Sequence, residues 1–191
     1  MGMKVLGIAC SPRRGGNSEI LLDNALRGAQ SRGAESTKIV LAELNIAPCR
    51  GCEACRRGGC IQQDDMDRVY PLLEESEALV LATPIYFYGL PAQAKAMVDR
   101  CQVFWYRSTG TGQEAGKGVS SKRAALIAVG ATRGARLFEG AILTAKYFFK
   151  YLGFHYWREL LVQEVDGYQE ILKRPEALKA AYLLGEDLVE G

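Results

Sequence analysis

Four of the chain's six cysteines fall within twelve residues, CRGCEACRRGGC at 49–60. Three of them stand at two-residue gaps, which is how the ligand run for a cubane iron–sulfur cluster opens. Cys60 is the one candidate for a fourth ligand on the same loop. The simplest completion is a single [4Fe–4S] cluster on Cys49, Cys52, Cys55 and Cys60. Zinc is the main rival, but structural zinc usually takes two separated ligand pairs, with sulfur crowded at ~2.3 Å. Thiols without metal are a third reading. Arg50, Arg56 and Arg57 would offset the negative charge of four thiolates around either metal, so they do not discriminate.

A second set of reactive possibilities lies in CSPRRGGNSEILL, residues 10–22. Ser11, Asn17 and Ser18 are short polar donors, Arg13 or Arg14 adds a planar cation, and Gly15 and Gly16 let backbone approach a ligand closely. A helix starting near Asn17 would aim its free N–H groups and dipole at an anion. The combination reads as a phosphate cradle, with an ordinary helix cap as the bland alternative. It is neither a Walker loop nor a dinucleotide fingerprint, because G-x4-G-K-[ST] and G-x-G-x-x-G are both missing. A third segment, TPIYFYGLPAQAKAMVDRC at 83–101, offers an aromatic turn for a flat ring beside Thr83 and Pro84. Tyr86, Phe87 and Tyr88 could equally cover core or interface. The glycines of GATRGAR, 130–136, would admit backbone to the same ligand.

The remaining candidates are weaker. Cys101 reads as a packed core thiol on an apolar helix face, and Cys10 ends a strand close enough for a redox role to be considered. His155 is the chain's one histidine and sits in the aromatic run FHYW, 154–157, so it reads as structural. A Ser–His–Asp hydrolase is therefore hard to build.

Placing these loops requires an alternating scaffold. Strands are predicted at 4–9, 36–44, 78–85, 123–130 and 154–165. Helices are predicted from Asn17 to Arg32, Met66 to Ser76 (capped by Asp64 or Asp65), Pro91 to Phe104, Arg136 to Leu152 (ended by Gly153) and Pro175 to Glu190. The Gly-, Ser- and Thr-rich stretch 108–122 reads as a mobile insertion near the site. Apolar strands separated by helices predict a parallel sheet covered on both faces, in the doubly wound order 2-1-3-4-5. Ligands then bind beyond the strands' carboxyl ends, where the three loops converge.

The 191 residues suit one domain, residues 1–191, and 48% hydrophobic content supports a continuous core. A formal charge of +2 demands no nucleic-acid partner. No run approaches the roughly 20 apolar residues of a membrane span. MGMKVLGIAC also lacks a secretory pattern. The expected location is the cytoplasm, where thiols stay reduced and clustered cysteines favour metal or redox roles.

GIACSPRRGGNSEIL, TPIYFYGLPAQAKAMVDR and the glycine-containing loop at 130–136 together resemble the NADPH-dependent FMN reductase superfamily of flavodoxin-like proteins. With CRGCEACRRGGC followed by DDM at 64–66, the chain most resembles that superfamily's iron–sulfur flavoproteins. The likeness runs from residue 4 to about 135. It implies FMN, with phosphate held by Ser11, Arg13, Asn17 and Ser18. Thr83, Pro84, Ile85, Tyr86 and Phe87 would flank the isoalloxazine, with Gly130 and Thr132 nearby. Cys10 departs from the Gly or Ser common there.

The function so implied is an FMN-dependent oxidoreductase that passes electrons between FMN and a [4Fe–4S] cluster or an external donor or acceptor. NAD(P)H or a ferredoxin would be the donor. One alternative is a cluster-free NAD(P)H-dependent FMN or quinone reductase. Another is a flavin-binding electron carrier with no substrate of its own. The aromatic runs 104–106 and 147–157 carry more apolar surface than a small sheet needs, which predicts a homodimer or homotetramer.

Overall fold

A computed structural model describes residues 2–110 and 121–190. Five parallel strands form one sheet in the order β2-β1-β3-β4-β5. They are β1 (Lys4–Ala9), β2 (Glu35–Val40), β3 (Ala78–Pro84), β4 (Arg123–Val129) and β5 (His155–Val162). The helices are α1 (Asn17–Ser31), α2 (Met66–Glu75), α3 (Ala92–Arg100), α4 (Gln102–Gly110), α5 (Glu139–Tyr151) and α6 (Pro175–Glu190). This is the predicted doubly wound order.

The two-residue period of the strands divides the core. Leu6, Ile8 and Cys10 of the first segment, with Leu79, Leu81, Leu126 and Ala128, face one layer that includes Met66, Met97, Phe104 and Phe149. Val5, Ala9, Val80, Ala82, Ile127 and Val129 face α1 and α6. Close approach of these two helices needs a missing side chain. A Cβ on Gly28 of α1 would lie 2.0 Å from the Tyr182 carbonyl oxygen of α6.

The structure corrects several boundaries. The second strand stops at Val40, and Leu41–Glu43 turn into a 3-10 helix that buries Leu41. The predicted helix from Pro91 to Phe104 is two helices. Tyr70 Oη donates to the Arg100 carbonyl at 3.0 Å, and the Phe104 amide bonds the Cys101 carbonyl instead. A side chain has entered the helical ladder there and the axis breaks. α5 begins at Glu139 rather than Arg136, and β5 ends at Val162. Residues 108–110 of the predicted insertion close α4, while 111–120 lie outside the described residues. No helix among the described residues is long and apolar enough to cross a membrane.

Candidate functional site

The tips of β1, β3, β4 and β5 enclose a small cleft of about 80 Å³. Ser11, Arg13, Gly16, Asn17 and Ser18 line one side, and Pro84, Ile85 and Tyr86 line the other. Seven of the eleven residues assigned to a flavin from the sequence therefore meet in one place. The loop before α1 is internally braced. Ser11 Oγ accepts the Arg13 amide at 3.0 Å and donates to the Arg13 carbonyl at 3.1 Å. Ile20 is the first residue of α1 whose amide reaches back to an earlier carbonyl, that of Gly16. The amides at the start of α1 are thus free for an anion.

The two arginines have different duties. Arg14 is committed to Glu19 and Glu43. Arg13 lines the cleft and has no ion-pair partner among the described residues. Glu19, only 3% exposed, accepts the Gly15 amide at 2.8 Å and pairs with Lys38 at 3.1 Å. Burial works against its charge, but the Gly15 amide, Lys38 and Arg14 outweigh that and hold the carboxyl below its usual range.

Asn17 has a role its sequence position did not reveal. Its Nδ2 donates to the Gly167 carbonyl at 2.9 Å, and its Oδ1 accepts the Ile171 amide at 3.1 Å. The side chain clamps the segment after β5 onto α1 and leaves the backbone amide as its group for a ligand. That clamp brings Val165 and Asp166 to the cleft wall, beside Val129 and Ala131. These four were missed. Val129 and Val165 had been assigned to strands, Ala131 lay in the 130–136 loop where only the glycines and Thr132 were singled out, and Asp166 carries no motif.

Four assigned residues lie outside the lining. Thr83 is fully buried and donates to the Pro84 carbonyl at 2.8 Å. Gly130 spends its amide on Val162 and its carbonyl on Val165. Thr132 is exposed beyond the rim. Phe87 stands fully in solvent at the tip of a tight turn, where Tyr86 and Gly89 exchange both backbone bonds at 3.0 Å. Phe87 and Tyr88 there have φ of 48° and 61°, left-handed values that bulky residues adopt only under constraint.

The cysteine loop forms a separate cavity of about 360 Å³, lined by all four of its cysteines with Arg100, Val103 and Tyr106. None is in a disulfide. Among the described residues no three Cys, His, Asp or Glu side chains are grouped tightly enough for one metal ion. The four predicted ligands therefore share a cavity without converging on a point. Gly58, with φ of 126°, makes a loop reversal that a side chain would strain. Arg56 stacks over Tyr106 at 5.2 Å and bonds its hydroxyl at 3.1 Å, fastening the loop to α4.

Arg100 was not singled out in the sequence, yet it is 2% exposed and reaches this cavity. It forms a two-pronged pair with Asp64, Nη1 to Oδ2 at 2.5 Å and Nη2 to Oδ1 at 3.2 Å. Its Nε–H and the Gln62 Oε1 are buried and have no hydrogen-bond partner among the described residues. Burial alone would raise the Cys60 thiol. The Gln62 amide and the Arg100 cation prevail and hold it below its ordinary value. Burial pushes Cys55 up, and Cys49, Cys60 and Cys52 add to the push, so the four sulfurs feel one another's charge. Asp64 did appear as a possible cap. Its Oδ1 accepts the Met66 amide at 3.0 Å, while Asp65 turns to the Asn45 amide at 2.7 Å.

Cys10 and Cys101 are buried in the core, and desolvation raises both thiols. Cys10 does not line the cleft. His155 is exposed at the start of β5.

Residues 3–156 match the model of the NADPH-dependent FMN reductase family. The chain belongs to that family. An iron–sulfur flavoprotein of Archaeoglobus fulgidus is 40% identical over 115 residues, 60% of this chain and 52% of the relative. The chain thus spans about half the length of that relative. A putative NAD(P)H-dependent FMN-containing oxidoreductase, YwqN of Bacillus subtilis, is 26% identical over 181 residues, 94% of each chain. The fold matches that of the NAD(P)H:quinone oxidoreductase from Methanothermobacter marburgensis, with a TM-score of 0.72 at 18% identity over 100% of this chain and 98% of the other. That likeness concerns the fold alone.

Proposed function

We propose that this family member binds FMN at the strand tips and acts as an FMN-dependent oxidoreductase using NAD(P)H or a reduced carrier protein such as a ferredoxin. The observation that carries the reading is the opposed lining of one cleft, with Ser11, Arg13, Gly16, Asn17 and Ser18 facing Pro84, Ile85 and Tyr86. The free amides of α1 and the Arg13 cation suit a phosphate dianion. The small enclosed volume suits a slim anionic tail, so a tricyclic ring would lie across the rim against Pro84, Ile85 and Tyr86. Bound FMN would supply one- and two-electron transfer. The chain's part is to anchor the phosphate, orient the ring and leave one face open to a donor.

For the cysteine cavity we infer a [4Fe–4S] cluster in preference to a lone zinc ion, on the spacing of its cysteines. Four cysteines in a C-x2-C-x2-C-x4-C run line one cavity of about 360 Å³, and that spacing supports a cubane. Arg50 and Arg100 line the same cavity and would offset the charge of four thiolates around either metal. Cys49, Cys52, Cys55 and Cys60 would hold the cluster, which would supply single-electron exchange.

The test is anaerobic purification followed by FMN titration and iron and sulfide analysis. About one FMN and four irons per chain is the expected result. Flavin without iron would leave a cluster-free reductase, and flavin with no turnover of NAD(P)H or an artificial donor would leave a carrier.

The chain is further proposed to self-associate. A groove of about 570 Å³ between α3, α4 and α5 presents Leu143, Tyr147 and Trp105, with Leu143 and Tyr147 59% and 55% exposed. Much of the aromatic run instead fills the core, since Phe104, Phe148, Phe149 and Phe154 are buried. Light scattering at working concentration decides between monomer and oligomer.

A further inference from the structure

We propose that Arg100 is a positioning residue for the cysteine loop, closing its base before any metal arrives. The proposal rests on the iron–sulfur reading only for its consequence, not for its geometry. Nη1 donates to the Ala47 carbonyl at 2.9 Å, and Nη2 donates to the Gln62 carbonyl at 3.2 Å. Ala47 lies two residues before Cys49, and Gln62 lies two residues after Cys60. One guanidinium therefore ties the entering arm of the loop to the leaving arm.

Asp64 completes the closure from the other side. Its Oδ2 takes the Arg100 Nη1 and also accepts the Ala47 amide at 3.0 Å. The side chains of this pair are 0% and 8% exposed, so water is a poor substitute partner for the guanidinium. Gln62 Nε2 adds a bond to the Pro48 carbonyl at 3.3 Å. The arms are joined here by side chains of α3 and of the segment entering α2. Neither arm belongs to a strand of the sheet.

The chemistry selects arginine. Two carbonyls and a carboxylate need several donors in one plane, which the guanidinium fork provides and an ammonium does not. Without the fork, four sulfurs on twelve residues would have to be gathered by the metal itself, at the entropic cost of ordering the loop. A residue that fixes ligands without touching metal typically changes metal affinity by about 10- to 100-fold when replaced.

The experiment compares the wild type with Arg100→Lys, Arg100→Ala and the double variant Arg100→Met/Asp64→Leu. The double variant removes both buried charges together, the kind of change folds often tolerate. Three quantities are read in the full chain: amide hydrogen exchange across 47–63, iron retained after anaerobic reconstitution, and FMN affinity by titration. The expected result is exchange across 47–63 faster by about tenfold or more in all variants, with β1 and α1 unchanged. Iron affinity should fall by about 10- to 100-fold, and FMN affinity should stay at the wild-type value. Guanidinium chloride added to Arg100→Ala should restore protection of the loop, and sodium chloride at equal strength should not. Wild-type exchange across 47–63 in the Lys and double variants overturns the proposal, as does loosening spread evenly over the sheet. If the wild type takes up no iron, the iron–sulfur reading fails, while the exchange data still decide whether Arg100 closes the loop.

Discussion

The loop before α1 is braced largely by neighbours in sequence, with longer ties from Lys38 to Glu19 and from Glu43 to Arg14. Its local bonds run from Ser11 to Arg13, and from Glu19 back to Gly15 and Arg14, spans of two to five residues. The cysteine loop is held from afar, by an arginine 36 residues from Asp64 and 53 from Ala47. The first region folds as part of a strand–helix turn whose own short-range bonds set most of its shape, with Lys38, Glu43 and the segment after β5 packed onto it. The second is a long excursion from the sheet edge, anchored at few points. A short-range turn can shape itself, whereas a twelve-residue loop carrying four cysteines outside the sheet needs a brace supplied by other elements.

The sharpest break in that comparison is Asp64→Ala. It leaves the Arg100 guanidinium buried without its carboxylate, a change that costs about 3–5 kcal/mol. Chemical denaturation should show a loss of that order, and the cysteine loop should become protease-sensitive before the sheet unfolds. A loss under 1 kcal/mol would mean that the loop is held by other contacts.

The matching change in the first region is Glu19→Gln, with an expected cost of about 2 kcal/mol, within the range of about 1.5–3 kcal/mol for hydrogen bonds to a charged group. Its pH dependence follows from the depressed carboxyl of Glu19. The folded chain binds fewer protons here than the unfolded chain, so this stabilisation is fully present above the ordinary carboxyl value of 4.5 and drains away as pH falls through the lower, folded value. The wild type should therefore lose stability below about pH 4.5 more steeply than the Gln variant. Parallel curves would remove Glu19 as the brace. Arg13→Ala comes next. Losing one charge-assisted phosphate bond should weaken FMN binding by about tenfold or more, with stability unchanged because Arg13 is exposed. Unaltered affinity would place the phosphate elsewhere.

The same contrast explains what could be read before the structure. The sheet order followed from apolar runs of strand length alternating with helical patterns, because a parallel sheet buries both faces of its central strands. That Ser11, Arg13, Pro84 and Tyr86 would meet in one cleft could be read from sequence because each sits at or just past the end of a strand. Arg100 was invisible because an arginine near the end of an apolar helix resembles any other solvated charge. Only the tertiary placement of Asp64 and two carbonyls makes it a buried tie. Asn17 was found for a plausible reason but does a different job with its side chain, since Gly167 and Ile171 reach it only once β5 has packed. Asp166 carried no signal because the loop after β5 has no motif. The break at Cys101 escaped periodicity because Tyr70, 30 residues from Arg100, causes it.

The smallest expected effect concerns the turn after β3, next to the cleft-lining Tyr86. Phe87 holds φ at 48° with its side chain entirely in solvent, so within this chain the ring contributes no packing that offsets the backbone cost. A left-handed conformation costs a residue bearing a Cβ about 1–2 kcal/mol and costs glycine almost nothing. Glycine also gains freedom in the unfolded chain, which returns part of the benefit. Phe87→Gly should therefore raise stability slightly, by up to about 1 kcal/mol, seen as a thermal midpoint higher by a few degrees. If the same variant binds FMN as tightly as the wild type but turns over more slowly or dissociates into smaller species, the exposed ring serves a donor or a second subunit and not the flavin's own seat. A loss of stability would mean that Phe87 packs against something within the chain, and the turn would then belong to the tightly held region, not to the rim.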